Sequence, residues 1–182
     1  MSTEPITLDE AKTHLRVDSA EDNALISRLI TTARLFVEKW THRKLMTTVM
    51  EKIYDVPSDS FSLPYPPLQE VVKIEVIDDA GVKTEVSSSI YDIDLSVDTP
   101  GRVKLKSGCV WPDHRDFASF IVTFKAGYGE AAADVPEILK QALFVLIGHL
   151  YENRGDEGTV KARVQAFDEA KILLAPYKVY YI

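Results

Sequence analysis

The sequence predicts an α+β fold that is mainly helical, with a β-rich segment at about residues 46–128 between the second and third helices. Three observations lead to this prediction. Apolar residues recur with the 3.6-residue period of a helix up to about residue 42, and again from about residue 138. Between these stretches the apolar period changes to two, which is typical of strands. Turn residues divide this middle segment at regular intervals, as expected for antiparallel strands.

Two helices are predicted near the amino terminus. Thr7 and Glu10 have the spacing of a capping box, in which each residue bonds the backbone of the other. This first helix should end near Val17. Residues 19–22 favour the start of a second helix, which should run to about His42. One face of it is apolar: Leu25, Ile26, Leu29, Ile30, Ala33, Val37 and Trp40.

The middle segment is predicted to contain several short antiparallel strands. The proline-rich stretch at residues 63–68 is incompatible with a helix and should be an extended connector. Sharp turns are expected at residues 78–81 and 99–101. The predicted strands cover residues 47–56, 71–77, 82–86, 91–95, 102–106 and 117–125.

Two further helices are predicted after the strands. Asp134 should cap the third helix, with Pro136 in its first turn, where proline is well tolerated. This helix is apolar on nearly every side, which indicates that it is central or sandwiched between neighbours. A fourth, more polar helix should begin near Gly158 and end near Pro176. We expect the second and third helices to pack through Leu29, Ile30, Ala33 and Val37 against Leu139, Leu143 and Leu146.

We therefore divide the chain into residues 1–157, the helices with the β-rich segment, and residues 158–182, the fourth helix and a tail. Residues 171–182 contain no acidic residue and three tyrosines. Each large apolar side chain in this tail would gain roughly 1.5–3 kcal/mol if fully buried. Either the tail returns to its own core, or another subunit or a partner buries it.

The composition excludes several classes of protein. The net charge is −7, and the whole excess lies in residues 46–150, which carry sixteen acidic and nine basic residues. A protein that grips DNA phosphates usually has a basic stripe, so this distribution opposes a DNA-binding module. No apolar run approaches the ~20 residues that span a membrane, and the first residues lack the features of a signal peptide. One cysteine, Cys109, leaves no intramolecular disulfide and suggests a reducing compartment.

Catalytic signals are weak, and we expect no catalytic residues, no metal site and no cofactor. The four histidines are scattered without the spacing of metal ligands. Asp92, Asp94 and Asp98 suggest a site for a hard cation, but a solvated face is the better interpretation, because Asp92 and Asp94 alternate on one strand and share a face. Asp113, His114 and Asp116 would place a base beside acids, yet no nucleophile accompanies them. These two groups define the alternative function, a small metal-dependent hydrolase or nuclease.

Taken in order, several motifs resemble one family. They are ITLDEAKTHLRVD at residues 6–18, the helix end EKWTHR at residues 38–43, LPYPPL at residues 63–68, PGRV at residues 100–103, VTFKAGYG at residues 122–129, HLYENR at residues 149–154 and LAPY at residues 174–177. Each motif alone is weak, but their order and spacing are specific. The chain resembles the head-tail connector proteins of long-tailed bacteriophages, prophages and gene transfer agents, which are also called adaptor or head-completion proteins.

This resemblance implies both a fold and a function. The expected fold is an antiparallel helix bundle with a β-rich insertion and an extended C-terminal arm. The expected function is structural and non-enzymatic: a ring of about twelve copies under the portal protein, which joins the DNA-filled head to the tail and continues the DNA channel. The implied partners are the portal protein, head-closure or tail-completion proteins and further copies of the chain. The protein would be made in the host cytoplasm and reside in the virion neck, away from any membrane.

The resemblance also suggests roles for two sets of residues. In this family the carboxyl-terminal helix and tail usually dock on the portal, so we expect residues 171–182 to form an arm that becomes ordered on docking. A channel through which DNA slides should repel phosphate, which suggests that Asp92, Asp94 and Asp98 line it. The predicted docking residues are Leu173, Leu174, Tyr177, Val179, Tyr180, Tyr181 and Ile182.

Overall fold

A computed structural model describes residues 4–55, 58–153 and 160–180, which form two compact units. The helical unit contains the described residues up to Met46 and from Gly129 onward, and the strand unit is Thr47–Tyr128. The helical unit is therefore built from two stretches of chain separated by the whole strand unit. A bridge between Met46 and Gly129 joins these two stretches within the helical unit.

The helical unit contains four α-helices in its described residues. The third of them, α3, contacts each of the other three, as expected from its apolar surface. Short 3₁₀ turns precede α3 and follow α4. The bounds are α1 Leu8–Leu15, α2 Asn23–Thr41, α3 Glu137–Glu152 and α4 Val160–Leu174, with the 3₁₀ turns at Ala132–Asp134 and Ala175–Tyr177.

The capping box predicted for the first helix is confirmed. The Thr7 hydroxyl oxygen accepts a hydrogen bond from the Glu10 amide at 3.2 Å, and the Glu10 carboxylate accepts one from the Thr7 amide at 2.6 Å. These bonds to Thr7 hold the pKa of Glu10 below its ordinary value. The helix ends two residues earlier than predicted, because Arg16 adopts a left-handed conformation with φ of 57°.

The predicted packing of the second helix against the third is confirmed. Ile30, Ala33 and Val37 of α2 are buried, as are the three leucines predicted for α3. Leu29, in contrast, is only half-buried. The start of α3 differs from the prediction, because the Asp134 carboxylate accepts a hydrogen bond from the Ala131 amide at 2.9 Å instead of capping the helix.

A network of charged side chains lies beneath the surface of the helical unit. The Glu38 side chain is only 6% exposed and accepts hydrogen bonds from Lys44 Nζ at 2.8 Å and from the Leu45 amide at 3.1 Å. Arg34 lies between Glu38, at 3.5 Å, and Glu4, at 2.7 Å. Burial opposes the charge of Arg34, but its hydrogen bonds to these two carboxylates and their negative charge outweigh burial and raise its pKa.

The strand unit contains two antiparallel sheets. One has four strands in the order β1-β7-β3-β4, and the other has three in the order β2-β6-β5. Their cores combine around Phe120 and Phe124, and Trp111 meets the Phe120 ring edge-on at 4.9 Å. The strands are β1 Thr48–Tyr54, β2 Ser60–Leu63, β3 Leu68–Ile77, β4 Lys83–Glu85, β5 Tyr91–Asp94, β6 Gly101–Leu105 and β7 Phe120–Ala126.

The fold is α+β, but the prediction of a mainly helical chain organised as an antiparallel bundle is wrong. The strand segment is a compact unit in its own right and not a small insertion in a helical domain, because it has two sheets and its own hydrophobic core. The helices do not form a bundle, since α1 has only eight residues and the contacts converge on α3. The described part of the tail is not an extended arm either, because a 3₁₀ turn follows α4 and the chain then bonds to α2.

Candidate docking site

The described end of the chain, from Ile172 to Tyr180, packs on the helical unit; we call it the C-terminal segment. The α4 helix ends at Leu174, and Pro176 lies in the 3₁₀ turn that follows it, where its missing amide cannot continue the helix. Leu174 is fully buried, and Val179 is 5% exposed. These two side chains anchor the segment at both ends of the turn.

Hydrogen bonds fix the same segment to the end of α2. The Val179 amide donates to the Thr41 carbonyl oxygen at 2.9 Å. Arg43, which is 3% exposed, donates from Nε to the Tyr177 carbonyl oxygen at 2.6 Å. His42 connects these two partners in a left-handed conformation, with φ of 58°, so that the chain turns sharply at the helix end.

Aromatic rings and cations surround this anchored turn. Lys178 Nζ lies 4.6 Å from the centroid of the Trp40 ring and 5.4 Å from that of Tyr180. The Arg43 guanidinium carbon lies 6.0 Å from the centroid of the Tyr177 ring. Contacts of this kind contribute roughly 0.5–1 kcal/mol at exposed positions, and more where water is excluded. These contacts stabilise a single conformation of the C-terminal segment.

The predicted docking residues fall into four groups. Leu174 and Val179 are buried against the helical unit, and Leu173 and Tyr177 are half-buried. Tyr180 is 73% exposed. Tyr181 and Ile182 lie outside the described residues. Fewer of the predicted residues are therefore exposed to a partner than the sequence suggested: among the described ones, only Tyr180 is largely exposed.

Sequence reasoning missed three residues of this site. Ile172, like Tyr180, is 73% exposed, although both side chains are large and apolar. Trp40 and Arg43 contact the segment from α2 and the turn after it. No local signal in the sequence indicates these contacts, since Arg43 and Tyr177 are 134 positions apart.

The predicted channel acids lie in the strand unit, near basic side chains. Asp94 Oδ2 accepts a hydrogen bond from Arg102 at 2.7 Å, and this bond lowers the pKa of Asp94. Asp92 lies 3.7 Å from Lys106 Nζ. Asp98 is exposed in the segment between β5 and β6. The ion pairs thus partly neutralise Asp92 and Asp94.

The histidines, including His114 of the alternative enzymatic function, have neighbours of their own. His114 Nδ1 lies 2.7 Å from the Pro112 carbonyl oxygen, and its ring meets Phe120 edge-on. His14 lies against Phe144, whereas His149 is close to Asn153 and Phe167. Over the described ranges, no cluster of three or more His, Cys, Asp or Glu side chains could hold a metal ion. Nor does any helix within these ranges have the length and apolar character needed to cross a membrane.

Comparisons with known proteins give one matching family and several similar folds. The family described as "Phage gp6-like head-tail connector protein" matches residues 5–104. Three solved structures resemble nearly the whole chain. A chain in the neck of an empty gene transfer agent (GTA) particle, computed with C6 symmetry, has a TM-score of 0.79 and 20% identity. The similarity covers 98% of this chain and 91% of that one.

The other two structures are also of gene transfer agent particles. A chain from the virion of a native gene transfer agent has a TM-score of 0.76 and 21% identity, again over 98% and 91% of the two chains. A chain in the neck of the native particle, computed with C12 symmetry, has a TM-score of 0.73 and 21% identity, over 100% of this chain and 97% of that one. Among proteins of curated function, none matches.

Proposed function

The chain belongs to the phage gp6-like head-tail connector family, and we propose that it forms a ring of identical copies in the neck of a virion. The ring lies under the portal protein, joins the DNA-filled head to the tail and continues the DNA channel. The observation that carries this proposal is the family match over residues 5–104, together with the fold likeness over 98–100% of the chain to proteins of particle necks. The role is structural and non-enzymatic.

Ring symmetry supports a stoichiometry of twelve. The similar neck structures were computed with C12 and C6 symmetry, and a twelve-fold ring also satisfies six-fold symmetry. A ring with cyclic symmetry needs two different surfaces on each copy, because every contact is heterologous. Head-closure or tail-completion proteins would then bind the side of the ring that faces away from the portal.

We assign portal docking to the C-terminal segment and the two residues that follow it. Tyr180 and Ile172 supply exposed apolar surface, while Leu174 and Val179 hold the segment in place. A segment that is already anchored loses less conformational entropy on binding than a free one, which costs roughly 1–2 kcal/mol per ordered residue. Anchoring therefore makes a small exposed apolar surface sufficient for docking.

The channel assignment of Asp92, Asp94 and Asp98 remains part of this proposal. These acids would discourage phosphate from binding the wall. The ion pairs of Asp94 with Arg102 and of Asp92 with Lys106 limit that repulsion, so the wall would carry little net charge and would let DNA pass without binding it.

A variant that alters only the exposed side chains tests the docking assignment. Ile172→Ser combined with Tyr180→Ser should lower stability by no more than about 1 kcal/mol, because both side chains are 73% exposed and the main loss is the contact of Lys178 with the Tyr180 ring. The same variant should fail to join portal-bearing heads, giving particles without tails in electron micrographs. Val179→Ala is the matched control, since it should lower stability and yet dock at temperatures where it stays folded. Normal tails on particles of the double variant would place the docking surface elsewhere.

A further inference from the structure

The four-stranded sheet of the strand unit ends at β1 on one side and at β4 on the other, as far as the described residues extend. An edge strand presents backbone amide and carbonyl groups that can pair with a strand of another chain. Proteins usually shield such edges with short strands, prolines, bulges or covering segments. The two edges of this sheet differ in how well they are shielded.

The β1 edge is longer and more regular than the β4 edge. All seven of its residues pair with β7 without a register shift, and the strand contains no proline. Val49 and Ile53 are 60% and 54% exposed, and both are β-branched residues that favour strands. A regular strand of this length with exposed branched side chains favours pairing with another strand.

The β4 edge is short but firmly held. Its three residues, Lys83–Glu85, are all exposed and pair with the end of β3. The turn before it is fixed by Asp78, whose carboxylate accepts a hydrogen bond from the Val82 amide at 2.8 Å. Val82 itself is 56% exposed. The edge thus presents three exposed residues next to a hydrogen-bonded turn.

We propose that β1 of one copy pairs antiparallel with β4 of the next copy, so that the sheet continues from copy to copy. This inference rests on the proposed ring. Pairing of β1 with β1 would be two-fold and would close a dimer, whereas pairing of two different edges is heterologous and generates a ring. Within one sheet β1 and β4 run in opposite directions, so a sheet that continues smoothly into the next copy places them antiparallel.

Charge selects one register for this pairing. Glu51 lies on the same sheet face as Lys83 and Glu85, because the register runs from Ile53 through Ile121 and Glu75 to Glu85. Placing Lys83 opposite Glu51 pairs opposite charges, which stabilises antiparallel strands.

A shift of the register by two residues loses this advantage. In one direction Glu85 comes opposite Glu51, and like charges directly opposite each other are destabilising. In the other direction Lys83 comes opposite Val49, and no charge pair forms. A second copy of this chain therefore matches the β1 edge in one register.

The contact is too small to hold two copies together alone. A pairing of three residues buries far less than the roughly 1,000 Å² that a stable interface requires. It becomes effective when copies are already held side by side on the portal, because tethering raises the effective concentration. Isolated copies should accordingly remain monomeric or associate weakly.

Disulfide trapping in the assembled ring tests the pairing. Directly opposite residues of an antiparallel pair have Cα atoms about 4.5–5.5 Å apart, within the range that a disulfide spans. In a Cys109→Ser background, Glu51→Cys with Lys83→Cys should give a ladder of covalent multimers after oxidation of rings assembled on the portal. Lys52→Cys with Lys83→Cys is the matched control, since these side chains belong to opposite faces and should give no ladder.

The outcomes separate this inference from the proposed function. A wild-type chain that forms no ring on the portal would overturn both. If the wild-type chain forms rings but the variant with cysteines at positions 51 and 83 gives no ladder of covalent multimers, only the strand pairing is overturned. Covalent dimers from Glu51→Cys by itself would indicate two-fold pairing and would also overturn it. As a second measurement, Glu51→Lys should reduce ring formation and Lys83→Glu added to it should restore the rings.

Discussion

The helical unit and the strand unit place their charged side chains differently. The helical unit buries Glu38 with Arg34, whose side chains are 6% and 14% exposed. In the strand unit, Glu70 and Lys125 form an ion pair whose side chains are 55% and 41% exposed. Conversely, the strand unit leaves branched apolar residues exposed at a sheet edge. A buried ion is strongly destabilising unless its partners stay in place, so the helical unit tolerates few rearrangements around Glu38 and Arg34. Exposed ion pairs contribute little to stability, and an exposed sheet edge can still bind a neighbouring chain.

The largest expected effects come from removing core side chains, and they test whether the units are independent. Phe120→Ala should cost the strand unit about 3–5 kcal/mol, and Leu143→Ala should cost the helical unit about 2–5 kcal/mol, because each side chain is fully buried. The two tryptophans report separately, since Trp40 belongs to the helical unit and Trp111 to the strand unit. Thermal unfolding followed by fluorescence of single-tryptophan variants should show each mutation mainly in its own unit. Equal shifts of both probes would mean that the units unfold together.

A smaller effect should separate buried from exposed ion pairs. Glu38→Gln keeps the shape of the side chain but removes its charge from between Arg34 and Lys44, and it should cost about 3 kcal/mol. The matched change in the strand unit, Glu70→Gln, should cost less than about 1 kcal/mol. Chemical denaturation of both variants measures the difference. If both variants lost a similar free energy of unfolding, the ion pairs of the two units would not differ in their contribution to stability.

The smallest effect concerns pH and the cap of α1. The pKa of Glu10 lies below its ordinary value of 4.5 in the folded chain, so its stabilisation is fully present above that value. It is lost as the pH falls through the lowered pKa of the folded state. Glu10→Gln should cost no more than about 1 kcal/mol at neutral pH. The difference from wild type should shrink on acidification, as followed by Trp40 fluorescence. A difference that is constant over the acid range would contradict the assigned role of Glu10.

Local signals in the sequence predicted most elements but few of their partners. The capping box at Thr7 and Glu10 was predicted because it involves residues three apart. The β3–β4 hairpin was predicted from its turn, whereas the pairing of β1 with β7 joins residues about 70 positions apart and leaves no local pattern. This distant pairing helps to give the strand unit a core of its own. A prediction based on local patterns missed that core, and the fold predicted as a helix bundle with a β-rich insertion was therefore wrong.

The tail illustrates a related limit. Its apolar residues predicted burial, but composition alone could not distinguish its own core from a partner. The structure buries Leu174 and Val179 within the helical unit and leaves Tyr180 exposed. The deciding contacts come from Thr41 and Arg43, more than 130 positions earlier in the chain. No periodicity within the tail indicates such partners.

The discontinuous path of the helical unit has a consequence for synthesis on the ribosome. The α1 and α2 helices emerge first, but α3, against which both pack, follows only after the strand unit Thr47–Tyr128 has been made. At about 5–20 residues per second, that wait is roughly 4–16 s. During it the apolar faces of α1 and α2 lack their partner, and at its end, with β7 made, the strand unit has all its strands. The nascent chain therefore completes its second unit before its first.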